Sequence, residues 1–268
     1  LNDINGSKKL NKKFIEVISN YLPDLIVFGH ADLIKRDTIK FIKSAYPNIK
    51  FCQWFLDRMD SKWINNLKRF EHKLDLMDAN FCTSDPRILK INKSKPIYYI
   101  PNPVDDSFEK LKNDQNKYLN NDVFFAMSHG VHRGILKKGK FDERENIIKK
   151  LKKSTPNIKY DLYGMLNNQP VWADNFINKI SKSKMGLNLS QGSAVKYYSS
   201  DRFAQIIGNG LMVLVDEKTR FSDFLNKKEI VTYKNITDLA KKIIRYSKND
   251  KLRSSIAKRG RNKYFKFF

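Results

Sequence analysis

The sequence predicts an α/β protein built of two Rossmann-like halves, and three observations carry that prediction. Short apolar runs of β type alternate with helical stretches of about ten residues or more, the pattern that demands crossovers and a parallel sheet. A polar, aperiodic stretch over 105–121 interrupts the alternation once and then lets it resume. Nine of the eleven glycines lie at or beyond Gly130, so tight loops and close backbone approaches concentrate in the second half. The expected division is an N-terminal Rossmann-like domain over 1–104 and a C-terminal one over 105–268.

In the first half, the apolar spacing of Leu10, Phe14, Val17, Ile18 and Tyr21 is helical, and Pro23-Asp24 ends the helix before the strand Leu25 to Phe28. A helix over Asp37 to Ala45 and a Pro47-Asn48 turn lead into a strand over Ile49 to Phe55. The cycle repeats as a helix from Ser61 to Met77 and a strand from Ala79 to Thr83. A short helix near Pro86 to Lys90 precedes a last strand, Ile97 to Ile100, closed by Pro101-Asn102-Pro103. In the second half, strands are expected at 123–126, 160–163, 185–189, 211–215 and 230–233. Helices fill 142–153, 174–181, 200–207 and 237–247, and a last basic helix covers 251–265.

Composition narrows the function classes. The 268 residues are 41% hydrophobic and 12% aromatic, enough for a core and too much for a wholly disordered chain. No apolar run approaches the roughly 20 residues that span a bilayer. Leu1 is not an initiator residue, so an upstream part is expected and the N-terminal domain is expected to be truncated. Cys52 and Cys82 fall in separate strands with no CxxC pair, as expected of reduced thiols in a cytoplasmic protein. Lys and Arg number 52 against 28 Asp and Glu, a net charge of +24 that favours polyanions: nucleic acid, anionic membrane or phosphorylated substrates. Compositional bias toward Lys and Asn accounts equally well for part of the excess. The charge is spread along the chain, so no specific nucleic acid is expected.

Two stretches carry phosphate chemistry. Ser128-His129-Gly130-Val131-His132-Arg133-Gly134, with Lys138 and Arg144 beyond, directly follows the strand ending at Ala126. A glycine-rich turn there exposes backbone N–H groups to an anion, and Arg133 and Lys138 add charge-assisted bonds that suit a diphosphate. The bland alternative is a solvated basic loop. Neither P-loop nor GxGxxG spacing is present, and His129 with His132 lacks a third zinc ligand. The second stretch is Tyr197 to Gly210, in which Ser199 or Ser200 caps a helix whose N-terminus faces the same strand ends. Arg202 and Gln205, one turn apart, then reach one ligand together. On the bland alternative, Asp201 and Arg202 cap and solvate that first turn.

For a general base, His30 follows the strand ending at Phe28 and Asp57 follows Trp54-Phe55. Alternatively His30 caps the next helix and Asp57 pairs with Arg58 or Lys62. The C-terminal stretch from Lys251 to Phe268 mixes cations with aromatics. It either rests on an anionic membrane or, the preferred reading, packs back on its domain with charges in solvent.

The order of strand, Gly/Arg/Lys loop and helix, then Tyr160-Asp161-Leu162-Tyr163-Gly164, Met185-Gly186-Leu187-Asn188-Leu189-Ser190 and Arg202-Phe203-x-Gln205 with Gly210, resembles the C-terminal half of GT-B glycosyltransferases. Ile100-Pro101-Asn102-Pro103-Val104-Asp105 resembles the segment joining that family's two domains, and the nearest branch is the spore-coat or spore-maturation type of group 1. The resemblance implies a nucleoside-diphosphate sugar donor held by the C-terminal domain, with the acceptor, a glycan or a lipid-linked one, facing the N-terminal domain. It places the diphosphate on Arg133 and Lys138, with a further basic contact from Arg144 or Arg202. The family's ribose-binding Glu falls on Gln205, and its partner acid on Tyr197, so the stereochemical outcome stays open. No DxD-like pair occupies a suitable loop, so neither metal nor other cofactor is expected. A cytoplasmic enzyme is implied, peripheral to the inner membrane face if the C-terminal stretch binds lipid. A nucleic-acid-binding protein and a non-catalytic sugar-nucleotide-binding relative are the competing readings.

Overall fold

Apolar runs separated by helical stretches become parallel strands, and this rule builds both sheets of the computed structural model. It describes residues 4–60, 63–91, 94–128, 136, 139 and 142–268. The chain divides into two compact units, 1–101 and 102–268.

The first unit is a four-stranded parallel sheet in the order β1-β2-β3-β4: β1 (Leu25–Gly29), β2 (Lys50–Phe55), β3 (Ala79–Cys82) and β4 (Ile97–Tyr99). Helices α1 (Ile4–Tyr21), α2 (Arg36–Ala45) and α3 (Ile64–Leu74) connect and cover it. Ile26, Phe28, Ile39, Ile42 and Phe51 form one core cluster, and Phe55, Leu67, Phe70 and Cys82 form another. The predicted Pro86–Lys90 helix is a single 3-10 turn, Pro86–Ile88, capped by Asp85. Both cysteines are free and buried, as expected.

The second unit is a five-stranded parallel sheet in the order β6-β5-β7-β8-β9, made of β5 (Asn121–Ala126), β6 (Tyr160–Tyr163), β7 (Ser183–Asn188), β8 (Met212–Asp216) and β9 (Val231–Tyr233). Along β5, Val123 and Phe125 pack on one face while Phe124 and Ala126 pack on the other, which is why the strand reads as an unbroken apolar run. Helices α4 (Glu143–Ser154) and α7 (Ile236–Ser247) lie over the first face. Helices α5 (Ala173–Ile180) and α6 (Arg202–Gly208) cover the second, and α8 (Asp250–Phe267) contributes to both clusters. Strand order reverses between β5 and β7, and open sheets of this kind bind ligands beyond the strands' carboxyl ends at that reversal. Gly186 lets α6 sit directly on β7, since a Cβ there would lie 2.4 Å from Ile206 Cγ2.

The aperiodic stretch 105–121 is pinned rather than loose. Asn209 accepts from Asn113 N through its carbonyl and from Leu111 N through Oδ1, and Asn113 Nδ2 donates to the Ile180 and Ser183 carbonyls. Side-chain amides substitute for the missing ladder, a connection that hydropathy does not register.

Candidate functional site

The reversal point in the second unit is bridged by one side chain. Helix α6 begins fourteen residues after the end of β7, and its first residue reaches back to the ends of β5 and β7. Arg202 Nε donates to the Ala126 carbonyl at 2.8 Å, and Nη1 donates to the Leu189 carbonyl at 3.1 Å and to Ser200 Oγ at 3.2 Å. The guanidinium lies 4.9 Å from the centre of the Phe125 ring. Asp201 caps α6 in place of the expected Ser199 or Ser200, because its carboxylate reaches Arg202 N at 2.9 Å.

Burial lowers the Arg202 pKa to about 10, with like-charge repulsion from Arg144 adding to the drop. The group remains charged at neutral pH. Among the described residues it makes no ion pair, and Nη2 has no hydrogen-bond partner there. A charged donor locked in this way can accept an anion.

Arg202 forms part of the wall of a cavity of about 520 Å³, within the range that takes nucleotide-sized ligands. Ala126, Met127 and Ser128 from the end of β5, with Asp201 and Gln205, line the same space. Trp172, Phe176 and Ile177 line it from α5 and its approach, and Phe108 from the pinned segment. Trp172 and Phe108 are 55% and 70% exposed, so two aromatic rings present their surfaces at one cavity. One part is apolar and aromatic, another carries the guanidinium and the Gln205 amide. Arg202 and Gln205 thus line one cavity, and Trp172 and Phe108, which no sequence motif marked, line it too; a lone Trp after Pro170 at a helix start was the available signal.

Arg144 is placed otherwise than the donor expectation had it. Its guanidinium binds the Asp142 carboxylate, Nε to Oδ1 at 2.7 Å and Nη2 to Oδ2 at 3.1 Å, and the residue is buried outside the cavity wall. Asp142 is the N-cap of α4 and forms a capping box with Glu145, so Arg144 serves the helix start. Gly130, Arg133, Gly134 and Lys138, with His129 and His132, lie outside the described residues. Tyr197 adopts a positive φ of 61° and donates through its hydroxyl to Asp223 Oδ2 at 2.9 Å.

In the first unit, His30 and Asp57 meet at the carboxyl ends of β1 and β2. His30 Nδ1 lies 2.8 Å from Arg69 Nη2 and 3.8 Å from Asp57 Oδ2. Arg69 also binds Asp32 through Nε at 2.9 Å and reaches Asp57 at 3.5 Å. The His30 ring stacks on Phe55 with centroids 4.8 Å apart. Arginine only donates, so Nδ1 accepts and the ring proton sits on Nε2. With Nδ1 taken by Arg69, His30 has its Nε2–H left as a donor. The helix-capping alternative does not describe His30, since α2 begins after Lys35; Asp57 faces Arg69 while Arg58 binds Asp60, and Lys62, the other alternative partner, lies outside the described residues. Arg69, on α3, was invisible in sequence because 39 residues separate it from His30.

Residues 143–268 match the family model described as glycosyl transferase-like. No curated protein matches the chain. Among solved structures it is similar to TarM, with a TM-score of 0.63 at 13% identity, covering 95% of this chain and 54% of that one. It thus spans about half the length of TarM. HepE from Anabaena in complex with UDP gives a TM-score of 0.60 at 12% identity, covering 95% of this chain and 76% of that one. A glycosyltransferase from Rickettsia africae gives 0.58 at 12% identity, covering all of this chain and 78% of that one. These likenesses show the fold, that of GT-B glycosyltransferases, and residues 143–268 carry a glycosyltransferase-like domain.

Proposed function

We propose that the protein transfers a sugar from a nucleoside diphosphate donor to a hydroxyl-bearing acceptor, with the donor's nucleotide in the cavity of the second unit. The observation that supports this reading most is Arg202: a charged donor held on two strand-end carbonyls, without an ion pair among the described residues, beside a cavity with aromatic walls. In transfer, the bond between the anomeric carbon and the diphosphate oxygen breaks, and its electron pair leaves with the diphosphate. The acceptor oxygen bonds to that carbon and loses its proton. A guanidinium already fixed in place stabilises the departing charge without reorganising.

On this reading the diphosphate lies against Arg202, the ribose hydroxyls meet Gln205, and the base packs on Trp172. Gly130, Arg133, Gly134 and Lys138, which follow β5 directly in sequence, supply further N–H and cationic donors. The UDP named with HepE supports a nucleoside diphosphate as ligand class. In the first unit, His30 donates through Nε2 to an acceptor or sugar hydroxyl, and Asp57 receives the acceptor's proton. The acceptor is a glycan or a lipid-linked saccharide, the setting is cytoplasmic, and the nearest branch is the spore-coat type.

Gln205 in place of a carboxylate, together with the occupied Nδ1 of His30, favours a second reading: binding of a sugar nucleotide without transfer. A panel of nucleoside diphosphates screened by thermal shift, followed by donor turnover, tests both. Stabilisation with turnover supports the transferase; stabilisation without any turnover leaves the binding protein; no stabilisation by any member removes both.

A further inference from the structure

We propose that the paired outer faces of α4 and α7 form an electrostatic docking surface for an anionic membrane. The two helices lie side by side on one face of the five-stranded sheet, their inner sides buried through Ile148, Leu151, Leu239 and Ile243. Their outer sides expose Lys149, Lys150 and Lys153 on α4 and Lys241, Arg245 and Lys248 at and just beyond α7. Every acid on these helices sits in the first turn and is engaged. Glu143 accepts from Gly192 N, Glu145 completes the capping box, and Asp238 binds Lys242 at 2.8 Å. Beyond those first turns the outer surface carries only positive charge, and none of the six cations has an ion-pair partner among the described residues.

Cations in a helix's last turn complement its dipole, which accounts for Lys153 and Arg245. That does not account for Lys149, Lys150 and Lys241, which lie earlier. Overall basicity alone would leave the more basic α8 at least as charged, yet four of its seven cations are engaged, leaving Lys251, Lys258 and Lys266 without a hydrogen bond or ion pair among the described residues. Arg253 faces Asp250, Arg259 donates to the Lys228 carbonyl, Arg261 to the Gly208 carbonyl, and Lys263 binds Glu229. The C-terminal stretch packs back on its unit through Ile256, Gly260 and Tyr264, and the larger set of unengaged cations lies on α4 and α7.

The chemistry of the face selects the partner. Five of the six cations are lysines, which act as point charges and lack the bidentate geometry that reads phosphates or bases. No large hydrophobic side chain of either helix is exposed, which leaves no platform for stacking bases and no wedge for insertion. Two helices of twelve residues, each about 18 Å long, present a broad patch of charge suited to a diffuse layer of anionic headgroups.

The test is co-sedimentation of the full chain with phosphatidylcholine vesicles, with and without about one-third phosphatidylglycerol. Binding is expected only to the anionic vesicles, with release at high salt. The triple variant Lys149→Glu, Lys153→Glu, Lys241→Glu is expected to partition about a hundredfold less. Lys8→Glu, Lys9→Glu, Lys12→Glu on α1 makes the same change in net charge and is expected to partition as the unmodified chain does. If the first triple fails to fold, the same three positions changed to Gln take its place, with a smaller loss expected. Equal losses from both triples, or none from either, overturn the proposal. So does mixed-sequence duplex DNA that binds this face at physiological salt and displaces the vesicles, which would assign the surface to nucleic acid.

Discussion

At the scale of single residues, the account turns on side chains whose hydrogen-bond capacity is only partly used. Arg202 ties β5 to the loop after β7 through two different nitrogens, and lysine keeps the charge but loses the planar fork that spans them. Arg202→Lys is expected to cost about 1–3 kcal/mol in urea unfolding, because buried carbonyls lose partners. His30 is a donor while Arg69 occupies Nδ1, so His30→Gln, which retains an N–H, is expected to keep more turnover than His30→Ala. Asp57→Asn removes the proposed proton acceptor and is expected to lower turnover by about 10²-fold or more. Steady-state kinetics of the three variants check the order; equal losses for Gln and Ala at position 30 would contradict the donor role. The positions of Arg202, His30 and Asp57 at strand ends or a helix start, with Gln205 one turn into α6, were legible in sequence; the roles proposed for them rest on the experiments above. Arg69, Trp172 and Phe108 were not legible, since only the folded sheet brings them alongside.

At the scale of elements, helix starts and tethers carry the sharper consequences. Asp142 caps α4 and is the counter-ion of buried Arg144. Asp142→Ala is expected to cost more than the roughly 1 kcal/mol of a lost cap, because Arg144 is left charged and unpaired in the interior. Chemical denaturation checks this, and a loss of cap size alone would show that Arg144 finds another partner. Arg36 on α2 binds Asp75, just beyond α3, through two contacts of 2.6 Å. The hydrogen bond from Arg36 holds the Asp75 carboxyl below the usual carboxylate range. A depressed native pKa stabilises the fold above the unfolded value, about 4, and that contribution fades as pH falls through the native value. The stability gap between the protein and Asp75→Asn is therefore expected at pH 7 and expected to close toward pH 2, followed by urea midpoints. The helices and strands themselves were readable, their ends shifting by at most four residues. Segment 105–121 was not, since single amides of Asn113 and Asn209 hold it and leave no periodic trace.

At the scale of the molecule, the proposed sites lie at the carboxyl ends of two parallel sheets, and the charge is unevenly used. Residues 102–268 hold 34 basic and 17 acidic side chains, and α4 and α7 concentrate unpaired cations away from the strand ends. The overall excess was plain in the sequence; its segregation was not, because it depends on which cations the fold consumes. The central claim is that the cavity beside Arg202 takes a nucleoside diphosphate. Calorimetric titration of UDP and GDP into the protein, Arg202→Ala, Trp172→Ala and Lys8→Ala tests it most directly. The account predicts binding of at least one nucleotide, weakened tenfold or more by Arg202→Ala and by Trp172→Ala and unchanged by Lys8→Ala. Equal affinity in all four proteins, or no binding to any of them, would contradict it.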